Sequence, residues 1–204
     1  MINEAEILKN KNEYIKKLKN TKRENIDKLI DYINTTDFFT SPASTKYHSN
    51  FEGGLCLHSL MVSDLLHEKK SRFQCDIPND SIEIISLLHD LCKANVYHKT
   101  HKNVIIGEEV KYGKTYKKWG QVEQWGFDDK LPFGHGEKSV ILAQKFIELS
   151  DLEIACILYH MGKPEGGFQQ HSAHNKAIDL FPFLILTHTA DYEASIFLEK
   201  TKKL

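Results

Sequence analysis

Arginine is nearly missing from this chain: of 27 basic residues only Arg23 and Arg72 carry a guanidinium. Several bidentate forks on phosphate are therefore excluded, and any bound phosphate must meet lysine, a metal ion or a helix N-terminus. A net charge of one sign is missing too. With 28 acidic residues and a net charge of −1, the molecule lacks the positive field of a dedicated duplex-DNA binder, so no duplex-DNA partner is expected. Cys56, Cys75, Cys92 and Cys156 form no CxxC pair, which argues against a zinc ribbon or a thioredoxin-like redox site and for reduced thiols in a core. Long hydrophobic runs are absent: the longest, from Phe181 to Leu186, is interrupted by Pro182, and Met1 through Lys11 is too polar for a signal peptide. No membrane partner and a cytoplasmic location are the expectations.

What is present fits one α-rich domain. The chain has 204 residues, 41% of them apolar and 27% charged, a balance that excludes the disordered class and is enough to bury a core. From Asn3 to about Asn34 apolar residues recur at helical spacing, so residues 1–36 are expected to form a helical extension packed on a main domain over 37–204. Helical periodicity resumes over Leu55–Glu68, then in the apolar run Ile82–Leu88, over Glu137–Leu149, over Leu152–His160 and from about Pro182 to Lys200. Between about 99 and 125 the pattern alternates instead, around Gly113-Lys114, and predicts a small inserted β-hairpin. Gly107 to Lys114-Thr115 is not a P-loop, because five residues separate its glycines and no helix follows.

Eleven histidines are the surplus of the composition. His58, the doublet His89-Asp90, His135, His160 and Asp191 lie at the ends of apolar helical segments. Helices running out and back can bring such positions to one end of a bundle, each presenting one ligand. Neutral imidazoles with carboxylates suit Fe, Mn, Ni or Zn better than Mg or Ca. Six ligands exceed what one open catalytic ion needs, so two divalent transition-metal ions are expected, with Asp90 best placed to bridge them and a shared water deprotonated near neutral pH. Lys93, one turn beyond the doublet, is placed to stabilise phosphoryl oxygens. Any one of these histidines alone would more often be a hydrogen-bonded core residue; their order and company favour ligation.

His58, the doublet in Leu88-His89-Asp90-Leu91-Cys92-Lys93 and the late Asp191 resemble the H…HD…D signature of the HD-domain metal-dependent phosphohydrolases, over roughly residues 40–199. His135 and His160 resemble the extra histidines of its binuclear branches. The resemblance implies an all-α HD-domain bundle. It implies Asp90 bridging two ions, with His58, His89 and Asp191 completing one and His135 and His160 serving the other. The implied activity is hydrolysis of a small nucleotide or short oligonucleotide phosphate ester. The approach to His58, from Pro42 through Gly53-Gly54, is similar to HD-type 3′-to-5′ exoribonucleases, which keeps a nuclease as the alternative. Phe133 through Ser139 and His188 through Asp191 are similar to stand-alone HD hydrolases of bacteria and phages. A non-catalytic nucleotide-sensing HD module is the third reading. No Gly-Tyr-Pro motif and no OB-fold segment accompany the pattern.

Further candidates for substrate contact are Lys93, Lys138, Lys163, His188, Tyr112 and Lys114. In the hairpin region, lysines interleave with Tyr97, Tyr112, Tyr116 and Trp119, a mix that could stack bases and meet phosphates, or equally a solvated lysine-rich face. His188, three residues before Asp191, is placed to support a ligand.

Overall fold

The structure, a computed structural model, describes residues 2–164 and 166–199. It is mainly helical, with one two-stranded antiparallel sheet. In chain order the elements are α1 (Glu4–Asn20), α2 (Ile26–Asn34), α3 (Gly54–Phe73), α4 (Asn79–Leu88), a 3-10 turn (Leu91–Lys93), β1 (Tyr97–Lys111), β2 (Lys114–Phe127), α5 (His135–Gln144), α6 (Asp151–Leu158), α7 (Phe168–Leu180), α8 (Phe183–Glu193) and a π-turn (Ala194–Leu198). Among the described residues no helix is long and apolar enough to cross a membrane.

α4 is the axis of the bundle. Pro78 starts it, and Ile82, Ile84, Ile85, Leu87 and Leu88 are all fully buried, so apolar residues point to both sides of the helix. Ile84, Leu87 and Leu88 join α1, α2 and α5 in one core cluster, while Ile82 and Ile85 join α6 and α8 in another. Enclosing a helix on all sides fixes its C-terminal end, where His89 and Asp90 lie.

The amino-terminal helices contribute to the first cluster. A capping box between Asn3 and Glu6 starts α1. Buried Tyr14 donates its hydroxyl to the Leu87 carbonyl at 2.6 Å and packs on Phe38 and Phe39. The single helical stretch expected over Asn3–Asn34 is instead broken at Thr21–Asn25, where Lys22 and Asn25 have φ of 54° and 60°, a left-handed geometry that ends a helix. Arg23 sits in this break and bonds Asp80, Glu148 and the buried carboxylate of Glu153. Arg72 lies over Phe73.

Other expectations also need correction. α7 was not expected, because its sequence has no apolar stripe; His174 is its one buried residue. The last helix ends at Glu193 and continues as a π-turn, and Lys200 lies outside the described residues. The hairpin is longer than the 99–125 insertion, with strands of 15 and 14 residues paired from Tyr97↔Phe127 to Lys111↔Lys114. Its turn falls one residue earlier than expected, on Tyr112-Gly113, whose φ values of 54° and 72° suit a type I′ turn.

Candidate metal centre

Four helix ends and a carboxylate from the last turn of a fifth helix meet at one place. His58 lies on the second turn of α3, His89 and Asp90 follow α4, His135 opens α5, His160 follows α6 and Asp191 lies on α8. His58, His89 and His160 are fully buried and Asp90 nearly so. A close approach makes this possible: a Cβ on Gly136 would fall 2.1 Å from the Leu158 carbonyl oxygen. Only glycine lets α5 sit directly against the end of α6, which brings His135 beside His160 with ring centroids 5.2 Å apart.

Hydrogen bonds orient three of the rings. His89 Nδ1 donates to the Ser86 carbonyl and His160 Nδ1 to the Ile157 carbonyl, each at 2.7 Å. His58 Nδ1 lies 2.5 Å from Glu199 Oε1. All three Nε2 atoms therefore face the centre. His58 Nε2 is 3.1 Å from His89 Nε2 and 3.1 Å from Asp191 Oδ1. Asp90 divides its two oxygens. Oδ1 is 2.8 Å from His135 Nε2 and 3.6 Å from His160 Nε2, whereas Oδ2 is 3.5 Å from His58 Nε2 and 3.4 Å from His89 Nε2.

Electrostatics fit a cation at this spot. His160 Nε2 is buried and has no hydrogen-bond partner among the described residues, a costly state for an imidazole nitrogen. Burial opposes charge on His58, but Asp191 and Glu199 outweigh it and raise its pKa to about 10. Burial holds His89 below its ordinary value. Two carboxylates against these rings thus demand positive charge, which a proton on His58 supplies when no metal is there. Burial alone would raise the Asp90 carboxyl, yet Lys93 and the surrounding histidines keep it well below the usual carboxylate range. These buried His and Asp groups could hold a metal ion: His58, His89 and Asp191 form one compact donor set, and His89, Asp90 and His160 another.

A cavity of about 460 Å³ opens onto the cluster between Tyr47, His48, Lys93, His135, Asp191 and Tyr192. Lys93 Nζ bonds Asp90 Oδ2 at 2.7 Å, and Asp90 keeps this buried ammonium charged against the cost of burial. Tyr47 is 72% exposed and Tyr192 63%, so two open rings flank the entrance.

The remaining candidates fall elsewhere. His188 Nδ1 bonds the His160 carbonyl at 2.8 Å, bracing the backbone of a cluster residue. Lys138 is buried on Asp129 at 2.6 Å. Lys163 is exposed and lies beside His174. Tyr112 and Lys114 stand at the hairpin tip, where a rise of about 3.3 Å per residue puts them roughly 45 Å of strand beyond Tyr97. Two contributors were not expected. Glu199 is buried against His58, and His48 lies beside the same ring, tilted by 35° with centroids 5.4 Å apart. Glu199 follows the π-turn, whose extra residue per turn shifts facing by an amount that helical spacing does not foretell. Comparison with protein-family models, with curated proteins and with solved structures returns no match for this chain.

Proposed function

We propose that this protein is a metal-dependent phosphohydrolase of the HD type, acting on a nucleotide-like phosphate ester at a binuclear centre. The observation that carries the reading is the division of Asp90: its two oxygens address separate histidine pairs, as a carboxylate shared by two cations would. His58, His89 and Asp191 would hold one ion and His135 with His160 the other, with Asp90 common to both. Such ions supply Lewis-acid polarisation of the phosphoryl group and an activated water.

The chain's own residues have separate tasks. Glu199, Ser86 and Ile157 fix the rings through their Nδ1 atoms. Lys93 keeps a positive charge at the floor of the cavity, where it can meet a phosphoryl oxygen while neutralising Asp90. Arginine takes no part in this cluster, since Arg23 is held by Asp80 and Glu153 and Arg72 lies over Phe73. Positive charge at the reacting phosphate then comes from metal and from Lys93. A cavity of about 460 Å³ suits a single nucleotide unit, which supports a small substrate over a long RNA strand.

The test is hydrolysis of bis-p-nitrophenyl phosphate by metal-loaded protein, followed by cyclic dinucleotides, dinucleoside polyphosphates and single-stranded RNA at equal metal. Turnover that disappears in Asp90→Ala supports the reading. Turnover unchanged in that variant removes the cluster from the chemistry. Preference for long RNA would favour the exoribonuclease, and binding of nucleotides without turnover the sensing module.

A further inference from the structure

Three of the four histidines at the cluster spend Nδ1 on an oxygen, from Glu199, Ser86 or Ile157. His135 differs, for its ring has sulfur beside it: Cys92 Sγ lies 3.3 Å from Nδ1 and 3.5 Å from Nε2. Both residues are placed by their elements. Cys92 is the middle residue of the 3-10 turn that follows Asp90, and its backbone N–H donates to Ser139 Oγ at 3.0 Å. Ser139 comes four residues after His135 on α5, so one helix face pins the backbone of Cys92 and lays His135 against its side chain. The other thiols lie among apolar side chains. Cys56 and Cys156 are packed in the two core clusters, and Cys75 borders the second.

Asp90, Cys92 and His135 bring one donor atom each within 4.8 Å of one another. A second observation points to a ligand at the same spot. His160 Nε2, fully buried and without a hydrogen-bond partner among the described residues, stands 3.6 Å from Asp90 Oδ1, too far for a hydrogen bond. Spacing fits one ion among these four side chains. Tetrahedral bonds of about 2.3 Å to sulfur and about 2.0 Å to nitrogen hold the two donors about 3.5 Å apart, and Cys92 Sγ stands 3.5 Å from His135 Nε2. The 2.8 Å from His135 Nε2 to Asp90 Oδ1 is a hydrogen bond that such an ion would replace. Donor count agrees. His58, His89 and Asp191 with the shared Asp90 give one ion four donors, whereas His135 and His160 with Asp90 give the other only three.

We propose that Cys92 is the fourth ligand of the ion at His135 and His160, an inference that rests on the proposed binuclear centre. The thiol binds as thiolate, so a sulfur–metal bond forms while its proton passes to solvent. Sulfur makes the two halves of the centre unlike. The half at His58, His89 and Asp191 offers only nitrogen and oxygen, whereas a thiolate favours a softer ion, Zn²⁺ over Mn²⁺. Cys92 thereby sets which metal the second half accepts.

Cobalt loading of the purified full chain tests this, with circular dichroism to verify the fold of each variant. The expected result is a thiolate-to-cobalt charge-transfer band in the near ultraviolet, lost in Cys92→Ser and kept in Cys75→Ser. Zinc titration of Cys92→Ser is expected to show one of two sites weakened at least tenfold, with the manganese affinity of that site changed less. X-ray absorption by the zinc-loaded native chain, which needs no variant, is expected to show sulfur at about 2.3 Å from the metal. Two cobalt ions bound without the band overturn Cys92 as a ligand and leave the binuclear centre standing. A band that survives Cys92→Ser overturns it too, as does a zinc shell of nitrogen and oxygen alone. A native chain that binds no cobalt overturns the ligand together with the centre it would complete.

Discussion

The Nε2 atoms of His58 and His89 stand 3.1 Å apart, with both rings fully buried. His89 has its proton on Nδ1, held by Ser86, so its Nε2 lone pair faces the partner ring directly. Glu199 claims the proton on His58 Nδ1, so a second proton on Nε2, shared with His89, makes the His58 ring a cation, and a metal ion can take that proton's place.

Proton and metal then give different pH profiles of stability. In metal-free protein the His58 pKa is raised from the ordinary 6.5 to about 10, so the folded state binds the proton more tightly than the unfolded state. The resulting stabilisation is present in full below pH 6.5 and is lost as pH rises through about 10. Thermal melts of chelator-treated protein are expected to show a falling midpoint across this window. Metal-loaded protein is expected to lack the fall, because the ion replaces the proton. Identical profiles with and without metal would contradict the arrangement.

Glu199 acts on the cluster through His58 Nδ1. Glu199→Gln keeps the shape but weakens the acceptor, and loss of such an outer partner typically costs about 10–100-fold in metal affinity. Metal titration is the readout. An unchanged affinity together with unchanged thermal stability would assign Glu199 no positioning role.

Lys93 bonds Asp90 and lines the cavity. Lys93→Met removes the ammonium while retaining most of the stem, and turnover is expected to fall by about 10²–10³. Metal content should stay the same or rise, since the cation competing for Asp90 is gone. A variant with native turnover would limit Lys93 to an ion pair.

Gly136→Ala tests the close approach of α5 to α6. Its methyl would meet the Leu158 carbonyl oxygen at 2.1 Å, so the helices must separate and His135 must move away from His160. The expected result is a folded protein with the ion at His135 and His160 weakened and the ion at His58, His89 and Asp191 retained. Equal loss of both would show that the two halves of the cluster are not separable.

His89, Asp90, His135 and His160 lie together because each follows or opens a helix, while His58 and Asp191 lie within the end turns of α3 and α8, and buried helices carry a readable signal. α4 is the best case, since its run of isoleucine and leucine announced both its burial and the place where His89-Asp90 would emerge. Glu199 was not legible, for a π-turn separates it from Asp191 and changes which way it faces. α7 has no legible signal, because only His174 of its thirteen residues is buried, leaving no apolar period. The alternation predicts a small hairpin, but its strands pair from Tyr97↔Phe127 to Lys111↔Lys114, which leaves Tyr112 and Lys114 at the far tip. Alternation reveals a strand and its faces, but a ribbon that projects into solvent and one that folds over a site have the same alternation.

Elemental analysis of purified protein by plasma mass spectrometry, run in parallel on the native chain and on Asp90→Ala, tests the central claim most directly. Sharing of one carboxylate by two ions predicts close to two divalent transition-metal ions per native chain and loss of at least one of them in the variant. A native chain holding one ion or none, or a variant that keeps both, would contradict it.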